Sequence, residues 1–257
     1  MPDANLKNKQ LFDLYQNIKN GTEVLTFDDL ELAIKTIESA KETIKEKQQR
    51  KIQMDALEEL KKKKHDPSEK IVYLPEGLKS IDENEFKNNK EITRVVINRG
   101  LTQIGEYAFA GCSNLKEVIF PQSRIMLRRG CFKDCVSLKE VYIPDVATIC
   151  PSAFENCTAL EKVILPSTIA NIYTKVFKNC HLLQTVEFEM RGSNYTGIHS
   201  RVFENCFSLE KIELPNRCGV DVKTFFNCHN LKTIYTHNTW MYKRNFENCN
   251  AEVILLE

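Results

Sequence analysis

The chain has 257 residues, 42% hydrophobic and 28% charged, which is enough apolar content for a sizeable buried core. Its formal net charge is +1, so no global field favours nucleic acid or an anionic membrane. It contains no run of about 18 apolar residues, which excludes a membrane-spanning helix.

From the amino terminus the first elements read as helices. Leu6, Leu11, Leu14, Tyr15 and Ile18 share one face, and Asn20-Gly21 supplies a stop. Thr26 fits an N-cap, with Asp28 and Asp29 in the first turn, where carboxylates suit the positive end of the helix dipole. Phe27, Leu30, Ile34, Ile37 and Ile44 then fall at coiled-coil spacing for about two heptads. This face suits two roles: an oligomerising seam that pairs chains as a homodimer, or a cap over the domain that follows. Lys61 to Lys64 form a basic run that reads as a solvated helix end rather than a phosphate contact. The opening residues MPDANLKNKQLFDLY hold no apolar signal core, so the expected location is cytoplasmic, or the cell surface had a signal been removed. The organisation expected is a helical module over 1–65, a linker over 66–70 and a repeat domain over 71–257.

The repeat is legible in Phe109, Cys112, Leu115, Val118, Phe120 and Pro121. The same offsets recur from Phe132, Phe154, Phe177, Phe203 and Phe225; Phe86 opens a copy with Asn89 in the cysteine place, and Phe246 opens a shortened one. The spacings between successive phenylalanines are 23, 23, 22, 23, 26, 22 and 21 residues. An aliphatic residue stands five places before nearly every phenylalanine, from Ile81 and Ile104 to Val220, with Met241 in the last copy. A fixed period in this range predicts a solenoid. Each period supplies a short strand closed by proline, a turn, and a short helical or 3₁₀ segment that carries the Phe and Cys. No coil buries its Phe, Leu and Val alone, but coils stacked about 4.8 Å apart do. The fold class predicted is an α+β repeat solenoid: parallel β coils after an α-helical module.

Seven of the ten cysteines, Cys112, Cys135, Cys157, Cys180, Cys206, Cys228 and Cys249, stand at one place in the repeat, which predicts an inward ladder of reduced thiols. Cys131, Cys150 and Cys218 lie off it. The spacing offers no metal set, and the five scattered histidines form no nucleophile pair; no phosphate loop or dinucleotide fingerprint occurs. The expectation is a protein with no enzymatic activity, cofactor or metal.

The strand position between the two buried residues reads Tyr73, Val96, Ile119, Tyr142, Ile164, Glu187, Glu213 and Tyr235. A solvent-facing stripe that is apolar for five coils and then acidic has the look of a protein-binding surface. Good strand formers, or a covering helix, would produce the same row. Arg124, Arg128 and Arg129, with Lys133 near, make a smaller basic turn, and the longest repeat carries a Gly- and Ser-rich stretch at 190–197.

The Phe-x2-Cys-x2-Leu skeleton resembles the BspA-like leucine-rich repeats over residues 71–257. That resemblance implies a curved parallel-β solenoid, associated with adhesion and protein binding and not with catalysis. Residues 18–50, through Thr26-Phe27-Asp28-Asp29-Leu30-Glu31-Leu32, resemble the N-terminal oligomerisation region of nucleoid-structuring histone-like bacterial proteins, which implies self-association. The separate DNA-binding domain of those proteins has no counterpart here. The leading expectation is a protein–protein interaction module. The alternatives are a nucleoid- or DNA-associated modulator acting through the N-terminal helices, and a cell-surface adhesin.

Overall fold

The computed structural model describes residues 70–75, 77–189, 195–237 and 243–256. The chain divides between His65 and Asp66, and all described residues fall after that boundary. The helical module and its seam at Phe27, Leu30, Ile34, Ile37 and Ile44 lie outside the described residues.

The described residues form parallel strands in two series. In chain order they are β1 (Lys70–Tyr73), β2 (Ser80–Ile81), β3 (Ile92–Val96), β4 (Gln103–Ile104), β5 (Glu117–Ile119), β6 (Met126–Leu127), β7 (Glu140–Tyr142) and β8 (Thr148–Ile149). They continue as β9 (Lys162–Leu165), β10 (Asn171–Ile172), β11 (Thr185–Phe188), β12 (Thr196–Ile198), β13 (Lys211–Glu213), β14 (Cys218–Val220), β15 (Thr233–Thr236) and β16 (Glu252–Leu255). The longer strands build a sheet in the order β1-β3-β5-β7-β9-β11, followed by a second, β13-β15-β16. The short strands build the other face in the order β2-β4-β6-β8-β10-β12-β14. From β1 to β14 every coil thus contributes one strand to each face, and each strand pairs with its copy in the next coil except across the break between β11 and β13.

The period dictates this arrangement. Leu115, Val118, Leu138, Val141, Leu160 and Val163 project between the two faces and are buried. The prolines stand just past the long strands, as at Leu165-Pro166, where a missing amide ends the ladder. Phe86, Phe109, Phe132, Phe154, Phe177, Phe203 and Phe225 stack as one column, with neighbouring centroids 4.9–5.7 Å apart and planes within 2–12°. Phe86 at the end is partly buried, and full burial of each of the other six contributes about 1.5–3 kcal/mol.

The segment carrying Phe and Cys departs from the expected helical or 3₁₀ form. Its amides alternate in direction. Ala108, Ala110 and Cys112 donate back to Gly105, Tyr107 and Phe109 in their own coil, while Tyr107, Phe109 and Gly111 donate to Arg129, Cys131 and Lys133 in the next. A helix needs every amide for itself, whereas this double turn gives every second one to the stack. The alternation requires left-handed residues two places either side of Phe, as at Ser152 (φ 60) and Asn156 (φ 64), or Lys175 (φ 63) and Asn179 (φ 61). One 3₁₀ turn, Lys243–Asn245, is found among the described residues.

Candidate functional site

The long-strand register lines up most of the anticipated stripe. Tyr73 stands opposite Val96, Val96 opposite Ile119, and Tyr142 opposite Ile164, which in turn faces Glu187. Glu117 opposite Glu140 places Ile119 beside Tyr142 two residues further on. Tyr73 is 47% exposed, and Ile119, Tyr142 and Ile164 are half-buried. Val96 is a correction: it is 6% exposed and does not face solvent. It is the smallest apolar member of the row, and larger side chains stand beside it on both neighbouring strands.

The row is interrupted where it turns acidic. Glu187 lies on β11, the last strand of the six-stranded sheet, and Glu213 and Tyr235 pair with each other on the next sheet. The break coincides with the 26-residue repeat between Phe177 and Phe203. Glu187 and Glu213 are exposed, Tyr235 is half-buried, and Ile254 extends the row on β16.

Charged residues flank the apolar part and pair along the stack. Arg94 Nε lies 2.6 Å from Glu117, and Lys162 Nζ lies 2.8 Å from Glu187. Tyr142 donates its hydroxyl to Glu189 Oε1 at 3.5 Å, across two coils. These exposed pairs are worth little energy, about 0–1 kcal/mol each, but they cancel charge beside the stripe. The basic turn is similarly engaged: Arg128 Nε donates to Gln103 at 3.0 Å, and Lys133 pairs with Glu155 at 3.0 Å.

The cysteines form the inward ladder and make a bond that composition did not signal. The thiols of Cys135, Cys157, Cys180, Cys206 and Cys228 each donate to the carbonyl of the preceding coil's phenylalanine, at 2.9–3.3 Å. Burial pushes the Cys112 thiol up to about 11, against an ordinary value of 9.0, and drives Cys157 higher still. The ladder thiols therefore keep their protons at neutral pH, and all ten cysteines are free. Cys131 and Cys218 are buried and Cys150 is half-buried. Among the described residues, no group of three or more His, Cys, Asp or Glu could hold a metal ion.

A second ladder escaped the sequence reading. Asn156 Nδ2 donates to Asp134 Oδ1 at 2.6 Å, and Asn179, Asn205, Asn227 and Asn248 each donate to the member one coil earlier at 2.7–3.0 Å. Its signal was present as the recurrent Phe-x-Asn-Cys, visible at Phe154, Phe177, Phe203 and Phe246.

Stacked coils of one long strand, one short strand and a double turn, with inward Phe, Cys and Leu, define a leucine-rich-repeat solenoid, a fold generally used without catalysis. The chain belongs to the BspA type leucine-rich repeat family, whose repeat matches residues 68–161 and 147–256 in six copies. Among solved structures it is similar to the leucine-rich repeat protein of T. pallidum, at 23% identity over 55% of this chain and 78% of that one, with TM-score 0.43. It is also similar to a leucine-rich cell surface protein of Faecalibacterium prausnitzii, at 20% identity over 71% of this chain and 78% of that one, with TM-score 0.41. Similarity to the pneumococcal vaccine antigen PcpA is 18% over 75% of this chain and 44% of that one, with TM-score 0.43. No curated protein matches the chain.

Proposed function

We propose that the repeat domain is a protein-recognition module that offers its long-strand face to a macromolecular partner. The observation that carries this reading is the alignment of Ile119, Tyr142 and Ile164, half-buried on adjacent strands, with Tyr73 exposed at one end and Glu187 at the other. An apolar centre with an aromatic and a charged rim suits a partner that lays apolar side chains across successive coils. The ion pairs at Arg94–Glu117 and Lys162–Glu187 leave little net charge to attract nucleic acid. The seam read at Phe27, Leu30, Ile34, Ile37 and Ile44 supports self-association as a second element of the same function, because paired solenoids bind a repetitive partner with avidity.

Affinity capture with matched variants tests the recognition face. Proteins captured by the unaltered chain should be lost from Ile119→Ala/Tyr142→Ala and retained by Met126→Ala, which alters an exposed residue of the short-strand face. Capture that survives the double substitution in a folded chain would remove the stripe from the mechanism.

A further inference from the structure

The short-strand face carries a second cluster, independent of the stripe. Gly197 on β12 and Gly219 on β14 are register partners. The same outward position in earlier coils holds Ser80, Gln103, Met126, Thr148 and Asn171. Glycine weakens a strand interior and marks a place where something must lie close to the backbone. Two side chains do so here. A Cβ at Gly197 would stand 2.9 Å from Asn171 Oδ1, and one at Gly219 would overlap the Tyr195 hydroxyl. Tyr195 therefore lies across β14, and it is 59% exposed.

His199 holds the centre of the cluster. Its ring stacks on Tyr173 with centroids 4.8 Å apart and planes at 6°. Its Nδ1 lies 3.1 Å from Asp221 Oδ2 and its Nε2 3.4 Å from Asn171 Oδ1. Among the described residues, those contacts leave the second Asp221 oxygen, the Asn171 amide donors and the hydroxyls of Tyr173 and Tyr195 for a ligand. Two cations of the same coils are already engaged, Arg201 by Glu204 and Lys223 by Glu247. With Asp221 exposed beside them, an anionic ligand is disfavoured.

We infer that this cluster is a subsite for a neutral oligosaccharide, with Tyr195 as the stacking platform and Asp221 and Asn171 as the groups that read hydroxyls. A pyranose ring has a C–H-rich face and a rim of hydroxyls that both donate and accept. The first matches an exposed aromatic plane, and the second matches a carboxylate and an amide held at fixed spacing. Two interstrand steps and one two-residue step give a patch of about 10 by 7 Å, the footprint of one or two sugar rings.

Saturation-transfer NMR on the full chain tests the assignment, with maltotriose, cellotriose and triacetylchitotriose as probes. Transfer to at least one sugar is expected, with affinity reduced about ten-fold in Tyr195→Ala and in Asp221→Asn. Gly219→Ala should weaken binding as well, because its Cβ displaces the Tyr195 ring while every hydroxyl-reading group stays. Ile119→Ala/Tyr142→Ala should bind as the unaltered chain does, which separates this subsite from the long-strand face. No transfer to any of the three sugars, or transfer unchanged in both Tyr195→Ala and Asp221→Asn, overturns the assignment.

Discussion

Asparagine at the second place after the phenylalanine meets two demands at once. The backbone there is left-handed, with φ of 59–64° at Asn156, Asn179, Asn205, Asn227 and Asn248. Asparagine tolerates this region better than other residues with a Cβ. Its amide both donates and accepts, so the same residue type repeats indefinitely along the ladder. Asp134, an acceptor without a donor, stands at the N-terminal end of the chain of bonds, and Gly111 keeps the φ but contributes no rung. Asn179→Ala should lose both the bond to Asn156 and the one from Asn205 and strain the turn, at a cost of about 2–4 kcal/mol. Asn179→Gly keeps the turn and loses only the bonds, so about 1–2 kcal/mol is expected. Urea denaturation of the two variants separates the contributions, and equal midpoints would mean that the left-handed backbone imposes no strain.

At the scale of the coil, the phenylalanine column joins each double turn to the next. Phe154 is fully buried, with rings at 5.4 and 5.6 Å on its two sides. Removing it leaves a void that neither Phe132 nor Phe177 can fill while its own backbone remains bonded to the stack. Phe154→Ala should cost about 3–5 kcal/mol, a large share of a domain stability of about 5–15 kcal/mol. Because the backbone pairing and the phenylalanine stacking join each coil to its neighbours, the loss should also divide the unfolding transition, with hydrogen exchange quickened most in the coils around 154. A single sharp transition with uniform exchange would show that the coils are coupled over longer range. The sequence displayed this column plainly, since a large apolar residue at constant offset has no other use in a stack. The strand boundaries were equally visible where proline follows. The double turn was not, because its left-handed residues are chemically mixed: Tyr107, Gly130, Ser152, Lys175 and Arg201 all occupy the second place before Phe. Nor was the burial of Val96, which is set by the side chains on adjacent strands rather than by its own. The cluster at His199 was hidden for a similar reason, as its members come from three coils and only the register brings them together.

Over the whole chain, the function depends on whether recognition is single or multivalent. On the reading proposed above, a single solenoid offers a stripe of a few half-buried residues, a modest surface whose affinity would rest on Tyr142 and its neighbours. Two solenoids joined through the seam would engage a repetitive partner at millimolar-scale effective concentration, raising avidity about 10²–10⁴-fold with no new contact. The seam is testable without isolating any part of the chain. Light scattering after size exclusion should give the unaltered protein a mass of two or more 29.8 kDa chains, and Leu30→Asp/Ile37→Asp a single one. Charges at these positions interrupt the apolar spacing while Phe154 and its column are untouched, so the urea transition of the repeats should not move. Equal masses for the two proteins would give the seam another role. Recognition would then rest on one solenoid at a time, and the affinity for a repetitive partner would be that of a single stripe, without the gain from avidity.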